Sequence, residues 1–149
     1  SIFIYFNFVF LTLYANIFVI SLASTLFYSR KYNICIKNLE KSFNILNHLK
    51  KDNKTNFSFL NFRPNGNFSF YDKSNRYTIF NNISLLTKYA LQIGFKKILI
   101  IDTDLFHGFG TQKYFYENKK VVYFSSHKSP GYPKNSGFMN EIGENEGLG

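Results

Sequence analysis

The chain has 149 residues, a formal net charge of +9, 45% hydrophobic residues and a single cysteine. A chain of this length and apolar content can bury a core, which excludes an intrinsically disordered tail and a disulfide-stapled miniprotein. The charge comes mostly from scattered lysines, with arginine at only three of the 18 basic positions, so we expect no specific nucleic-acid binding.

Residues 1–29 carry no charge, and the apolar run within them could cross a bilayer, for which about 20 residues suffice. Arg30 and Lys31 follow at once, which would place the C-terminal side in the cytoplasm. The alternative is a core helix or a pair of strands. We therefore divide the chain into segment 1–29, a core element or possible membrane segment, and a domain over 30–149. Because the chain starts without an initiator methionine and stops in a glycine-rich run, we expect a fragment.

From Tyr32 to Lys51, apolar residues recur at three- and four-residue steps between charged ones, which predicts an amphipathic helix. Cys35 in this segment cannot form an internal disulfide, which fits a reducing compartment, the cytoplasm or, in a eukaryote, the nucleus. Residues Phe57–Phe62 predict a short strand, and the sequence RPNGN predicts the turn that leaves it.

A second helix is predicted over 79–93, ended by Gly94, and a strand buried on both faces over 96–102. A third helix over 111–120 and a third strand over 121–126 follow. This alternation of strands and helices is typical of a parallel α/β sheet. Ligands bind such sheets beyond the carboxyl ends of the strands, so the candidate site loops are 63–69, 102–111 and 127–137.

Asp102 and Asp104 lie two residues apart at the end of the predicted buried strand, so their carboxylates point to the same side. Two such anions repel each other unless a cation lies between them or one is protonated. The pair is therefore either part of a cation site or a turn in which one carboxylate caps the backbone and the other is solvated. The spacing does not separate these alternatives.

Three ordered blocks carry a family resemblance. Residues 102–112 match the motif D-x-D-x-H-H-G-x-G-T-Q, and residues 63–69 match R-P-P-G-H-H-A, with an F-N-N block at 80–82. Residues 126–149 match S-x-H-Q-S-P-x-Y-P-G-T-G followed by E-x-G-x-x-x-G-x-G. From about residue 32 to 149 the chain thus resembles the histone deacetylase superfamily, especially its class II, acetoin-utilization and acetylpolyamine-deacetylase branches. The resemblance implies the arginase/deacetylase α/β fold, a parallel sheet with helices on both faces, present here incompletely.

The resemblance also implies zinc-dependent hydrolysis of acetyl-lysine or acetylpolyamine amides. In the family, an Asp, a His and a second Asp bind zinc, which polarises the acetamide and activates water, while a His pair moves protons. Asp104 matches the first Asp ligand, but Phe106 occupies the position of the His ligand. Asn67 and Phe68 hold the positions of the His pair, and neither titrates near neutral pH. The second Asp and the catalytic tyrosine of the family would lie beyond Gly149.

Other family positions are partly retained. Asp102 and Ser125 match residues of the family's inner potassium site. A monovalent cation site can therefore be retained although the zinc site is not. Tyr77 matches an aromatic wall of the substrate channel, Arg76 replaces a glycine beside that channel, and Thr78 replaces a cysteine.

Two histidines complete the candidates. His107 matches the second, non-ligand His of the motif and would reach a metal only if the loop shifted by one residue. His127 matches a position near the rim of the site, where a structural role is favoured.

Two functional hypotheses follow. The first is a deacetylase-family protein that is impaired or inactive in this chain. The second is a noncatalytic binding or scaffold remnant, which segment 1–29 would attach to a membrane if it inserts.

Overall fold

The computed structural model of the chain describes residues 4–6, 24–52, 57–61, 66–74 and 78–148. Its strands and helices are β1 (Ile4–Phe6), α1 (Ser24–Lys51), α2 (Asn82–Gln92), β2 (Ile98–Asp102), α3 (Phe109–Phe115) and β3 (Val121–Ser125), followed by a 3-10 turn at Asn145–Gly147. The chain divides into two compact units, one of residues 1–8 with 64–149 and one of residues 9–63.

The first unit is built on a parallel sheet with the strand order β1-β2-β3. This confirms the predicted α/β class with a parallel sheet and helices. Ile98 and Ile100 of β2 are buried, whereas Leu99 and Ile101 between them are partly exposed. The expectation of a strand buried equally on both faces is therefore wrong, because one face of β2 is less covered than the other.

The apolar N-terminal segment contributes β1 to this sheet. Residues 4–6 pair in parallel with residues 99–101 of β2. Most of the predicted membrane segment, residues 7–23, lies outside the described residues. Within the described ranges, no helix combines the length and apolarity that a membrane span requires. The division of the chain at residue 29 stays a prediction.

The second unit contains α1, which ends at Lys51 as predicted but begins at Ser24 rather than Tyr32. Among its residues 32–51, the buried side chains are those of Cys35, Leu39, Ser42 and Leu46, at steps of three and four, which confirms the amphipathic pattern.

The strand predicted over 57–62 is wrong for residues 57–61, which adopt no regular structure, and Phe62 lies outside the described residues. Phe57 and Phe59 are 77% and 69% exposed. Alternating phenylalanines favour a strand only where a neighbouring strand and a covering layer bury them. In the described part of the chain, residues 57–61 pair with no strand, and the side chains of Phe57 and Phe59 are not covered.

The two helices of the sheet unit differ from prediction at their ends. Helix α2 begins at Asn82 because the side chain of Asn81 accepts a hydrogen bond from the backbone N–H of Ser84. Helix α3 begins at Phe109 and ends at Phe115, where the N–H of Asn118 donates to the carbonyl of Phe115 and closes a turn.

Candidate functional site

Backbone hydrogen bonds join the candidate loops at the carboxyl ends of β2 and β3. The N–H of Thr111 donates to the carbonyl of Asn67 over 3.2 Å, and the N–H of His107 donates to the carbonyl of Tyr132 over 3.1 Å. Gly110 makes the first of these approaches possible, because a Cβ there would lie 2.7 Å from the carbonyl oxygen of Asn67. The described parts of all three predicted loops therefore lie together.

Asp102 is held by donors from two directions. Its carboxylate accepts a hydrogen bond from the hydroxyl of Tyr123 at 2.8 Å and another from the N–H of Asp104 at 3.1 Å. Burial, together with the nearby charge of Asp104, raises the pKa of Asp102 against the effect of these two hydrogen bonds. Asp102 is also the register partner of Ser125, so both residues of the predicted potassium position end neighbouring strands.

Asp104 lies beside the position of the family's His pair. One carboxylate oxygen accepts a hydrogen bond from the side-chain amide of Asn67 at 3.2 Å, and the other accepts from the N–H of Phe106 at 3.3 Å. Asp102 and Asp104 are 3% and 8% exposed. The expectation that one carboxylate caps a turn while the other is solvated is therefore wrong, because both cap the turn and both are buried.

An aromatic cluster occupies the positions where the family motif has histidines. The ring of Tyr132 packs edge-on against Phe68, with centroids 5.6 Å apart, and against Phe106, with centroids 6.1 Å apart. Phe68 also contacts Phe109 at 5.8 Å. Phenyl rings carry no lone pair for a metal and no titratable proton, so this cluster excludes both functions at residues 68 and 106.

His107 and His127 pack against each other rather than toward Asp104. Their ring centroids are 4.8 Å apart, and Nδ1 of His107 lies 2.9 Å from the hydroxyl of Ser136. Burial, followed by the nearby His127, lowers the pKa of His107 to about 4. His107 is therefore neutral near pH 7.

His127 is fixed in one tautomer by its partners. Its Nε2 lies 3.1 Å from the carbonyl of Gly137, which can only accept, so Nε2 carries the proton. In the neutral ring Nδ1 then accepts from the hydroxyl of Ser125 at 2.8 Å. These contacts favour the structural role that the sequence suggested for this residue.

Glycine is required beside this pair. Gly137 has φ +79°, and a Cβ on it would lie 2.4 Å from Nε2 of His127 and 2.8 Å from Cγ of His107. Gly108 plays a similar part at the start of α3, where a Cβ would lie 2.5 Å from the carboxylate of Asp102.

The described residues do not supply the donor set of the family's zinc. No three Asp, Glu, His or Cys side chains within the described ranges lie close enough together to hold one metal ion. Of the family's first two ligands, Asp104 is present and Phe106 is not a donor. The predicted channel residues Arg76 and Tyr77 lie outside the described residues. Thr78 is buried and contacts Ser69 through its hydroxyl and its carbonyl.

The sequence did not indicate two tyrosines of this site. Tyr123 donates to Asp102, and Tyr132 joins the aromatic cluster. For Tyr123 a signal exists, because alternation along β3 places it on the same side as Ser125. Tyr132 lies in an irregular loop, where no periodicity fixes the direction of a side chain.

Comparison with known proteins identifies the family and the fold of the chain. The family model "Histone deacetylase domain" matches residues 16–149. A probable deacetylase of Archaeoglobus fulgidus is 41% identical over 69 residues, which cover 46% of this chain and 19% of that protein. Among solved structures, the HD domain of HDA15 is 31% identical with a TM-score of 0.63, over 74% of this chain and 31% of that one. Acetylpolyamine aminohydrolase from Burkholderia pseudomallei is 27% identical with a TM-score of 0.67, over 74% and 32%. The chain thus spans about a third or less of each of these relatives.

Proposed function

The chain belongs to the histone deacetylase family, and on this premise we propose that it is a family member whose hydrolytic centre is impaired. Its ancestral reaction is the hydrolysis of an acetylated amine, either acetyl-lysine or an acetylpolyamine. The likeness to acetylpolyamine aminohydrolase supports this substrate class.

The aromatic cluster is the observation that carries the proposal. Phe68 and Phe106 replace a proton-transfer His and the zinc-ligand His, and both rings pack on Tyr132. The two replacements share one packing partner, so reverting either alone would place an imidazole against the remaining phenyl–tyrosine pair. Loss of general acid–base catalysis by itself typically costs about 10²–10⁴-fold in rate.

The surroundings of Asp104 support the same conclusion. Its two oxygens accept from the amide of Asn67 and from the N–H of Phe106, and within the described residues no two further Asp, Glu, His or Cys side chains lie close enough to complete a metal site with it. The amide of Asn67 thus takes the place of a cation as the partner of the buried carboxylate. We propose no catalytic step through zinc in this chain.

A monovalent cation fits the described residues better than zinc does. Asp102 and Ser125 present oxygen donors at the ends of two paired strands, and hard cations prefer oxygen. Each carboxylate oxygen of Asp102 accepts one hydrogen bond and retains capacity for a second interaction. When bound, such an ion would neutralise the buried carboxylate and fix the ends of β2 and β3.

The alternative is a noncatalytic binding module. It is favoured by the framework of the loops, which keeps hydrogen bonds between the loops although catalytic positions are replaced. The side chain of Asn81 donates to the carbonyl of Ser69 and to the hydroxyl of Thr111, each over 3.1 Å. Such a framework would still present the loops to an acetylated ligand without hydrolysing it.

Stepwise repair tests the proposal. Because the second Asp and the tyrosine of the family lie outside this chain, the test uses a fusion to the C-terminal half of acetylpolyamine aminohydrolase. Phe106→His in this fusion should restore zinc binding without activity, since Asp104, the new imidazole and the supplied Asp complete an open three-ligand site. Activity should require Asn67→His and Phe68→His in addition, and Arg76→Gly should raise it further.

The matched control is Phe124→His, which adds an imidazole at an exposed phenylalanine of β3. It should leave zinc content and turnover at the level of the parent fusion. Turnover of an acetyl-lysine peptide or acetylpolyamine by the parent, abolished by a hydroxamate, would contradict the proposed impairment. Activity from the His pair while Phe106 remains would show that residue 106 is not the ligand position.

A further inference from the structure

A groove of about 680 Å³ lies among α2, α3 and the turn that connects α3 to β3. None of the site positions discussed above lines it. Its volume falls within the usual range of small-molecule pockets, about 300–1,000 Å³.

The fold collects lysines in this groove that are scattered along the sequence. Lys88 comes from α2, Lys113 from α3, and Lys119 and Lys120 from the turn before β3.

Two glutamates also line the groove, Glu117 and Glu146. The carboxylate of Glu146 pairs with the ammonium of Lys119 at 3.1 Å, which leaves three lysines facing one glutamate. The groove is therefore an attractive site for an anion, and the overall charge of +9 favours the approach of one.

Aromatic rings stand beside these ammonium groups. The hydroxyl of Tyr114 donates to the carbonyl of Phe70 at 3.3 Å, which holds its ring in place, and the ammonium of Lys88 lies 4.8 Å from the centre of that ring. Tyr71 contacts Tyr114 edge-on with centroids 6.3 Å apart, yet it remains 70% exposed. Tyr71 thus offers an open aromatic surface on a supported ring.

We propose that this groove binds a nucleoside phosphate, with the base stacked on Tyr71 and the phosphates at Lys88, Lys113 and Lys120. A plain anion would use the lysines but not the ring. A neutral planar molecule would use the ring but leave three ammonium groups unmatched. A nucleoside phosphate satisfies both, since bases stack on aromatic rings and ammonium groups bind phosphate as point charges. The proposal does not depend on the state of the hydrolytic centre.

Calorimetric titration of the 149-residue chain with ATP, inorganic tripolyphosphate and adenosine tests the proposal. ATP should bind more tightly than either of the others. Lys88→Gln and Lys113→Gln should each weaken ATP about tenfold, while Lys96→Gln, an exposed lysine outside the groove, should leave it unchanged.

Tyr71→Ala separates stacking from charge. It should weaken ATP about tenfold and leave tripolyphosphate unchanged, and Tyr71→Phe should restore the ATP affinity. Circular dichroism of each variant should match that of the parent, because all the substituted side chains are exposed.

The proposal would be overturned by absence of ATP binding, by equal affinity for ATP and tripolyphosphate, or by a loss of ATP affinity in Lys96→Gln as large as in Lys88→Gln. A single-stranded oligonucleotide that binds far more tightly than ATP would also overturn it in favour of a nucleic-acid surface.

Discussion

Replacing Asn81 by alanine should loosen the loop that carries Asn67 and Phe68. The side chain of Asn81 caps α2 through the N–H of Ser84 and donates to the carbonyl of Ser69 and the hydroxyl of Thr111, all at 3.1 Å. Loss of the cap costs about 1 kcal/mol. Loss of the two donated bonds, which leaves a buried carbonyl unsatisfied, costs about 2 kcal/mol more. We therefore expect the free energy of unfolding to fall by about 3 kcal/mol.

Chemical denaturation measures this change, and a thermal scan should show a Tm lower by about 6–12 °C for a chain of this size. Asn81→Ser is the matched variant, because serine keeps the cap and loses the reach to Ser69 and Thr111. It should lose about 2 kcal/mol, the share of the two donated bonds. A loss of 1 kcal/mol or less in Asn81→Ala would refute the view that this residue ties α2 to the candidate site.

Three further predictions concern the same region. Gly137→Ala should cost about 2–4 kcal/mol, because of the positive φ and a clash with His107 and His127. Gly94→Ala, at an exposed position that also has positive φ, should cost about 1–2 kcal/mol. Equal losses for the two variants in denaturation would contradict this. The pKa of His107 is lowered to about 4 in the folded chain, so its protonation favours the unfolded chain as the pH falls from about 6.5 to 4. Over this range the free energy of unfolding should fall by up to about 3 kcal/mol. His107→Gln should flatten this pH dependence of stability, and an unchanged dependence would show that His107 is not the titrating group. Potassium chloride, at a concentration tenfold above the Kd for potassium, should raise the Tm by about 3–6 °C relative to choline chloride at equal ionic strength. The rise should vanish in Asp102→Asn and persist in the exposed Asp72→Asn. No rise in the parent would count against a cation at this position.

The fold was predictable where one pattern ran without competition. The end of α1, the end of β2 and the start of β3 follow from apolar runs bounded by polar residues, whereas β2 begins at Ile98 rather than at residue 96 and β3 ends at Ser125 rather than at residue 126. Strand β1 was not predictable, because residues 1–29 are uncharged and mostly apolar and no period marks three of them as a strand. Residues 57–61 show the converse, since their alternating phenylalanines satisfy the strand pattern without a partner that would bury them.

The candidate site was predictable as a set of loops and less so as a set of contacts. Motif spacing indicated Asp102, Asp104 and the replaced positions 67, 68 and 106. It could not indicate that Asn67 donates to Asp104 or that Tyr132 joins both phenylalanines, because these contacts depend on irregular loops. Side-chain direction follows from sequence only where a helix or strand imposes its period.

The zinc content of the fusion to the C-terminal half of acetylpolyamine aminohydrolase tests the central claim most directly, because the fusion supplies the family's second Asp. After dialysis against micromolar zinc and then against buffer, metal analysis should find far less than one zinc per chain, equal in the parent, in Asp104→Asn and in the control Asp72→Asn. One retained zinc per chain, lost in Asp104→Asn and kept in Asp72→Asn, would contradict the account, because Asp104 would then be a metal ligand despite its hydrogen bond from Asn67.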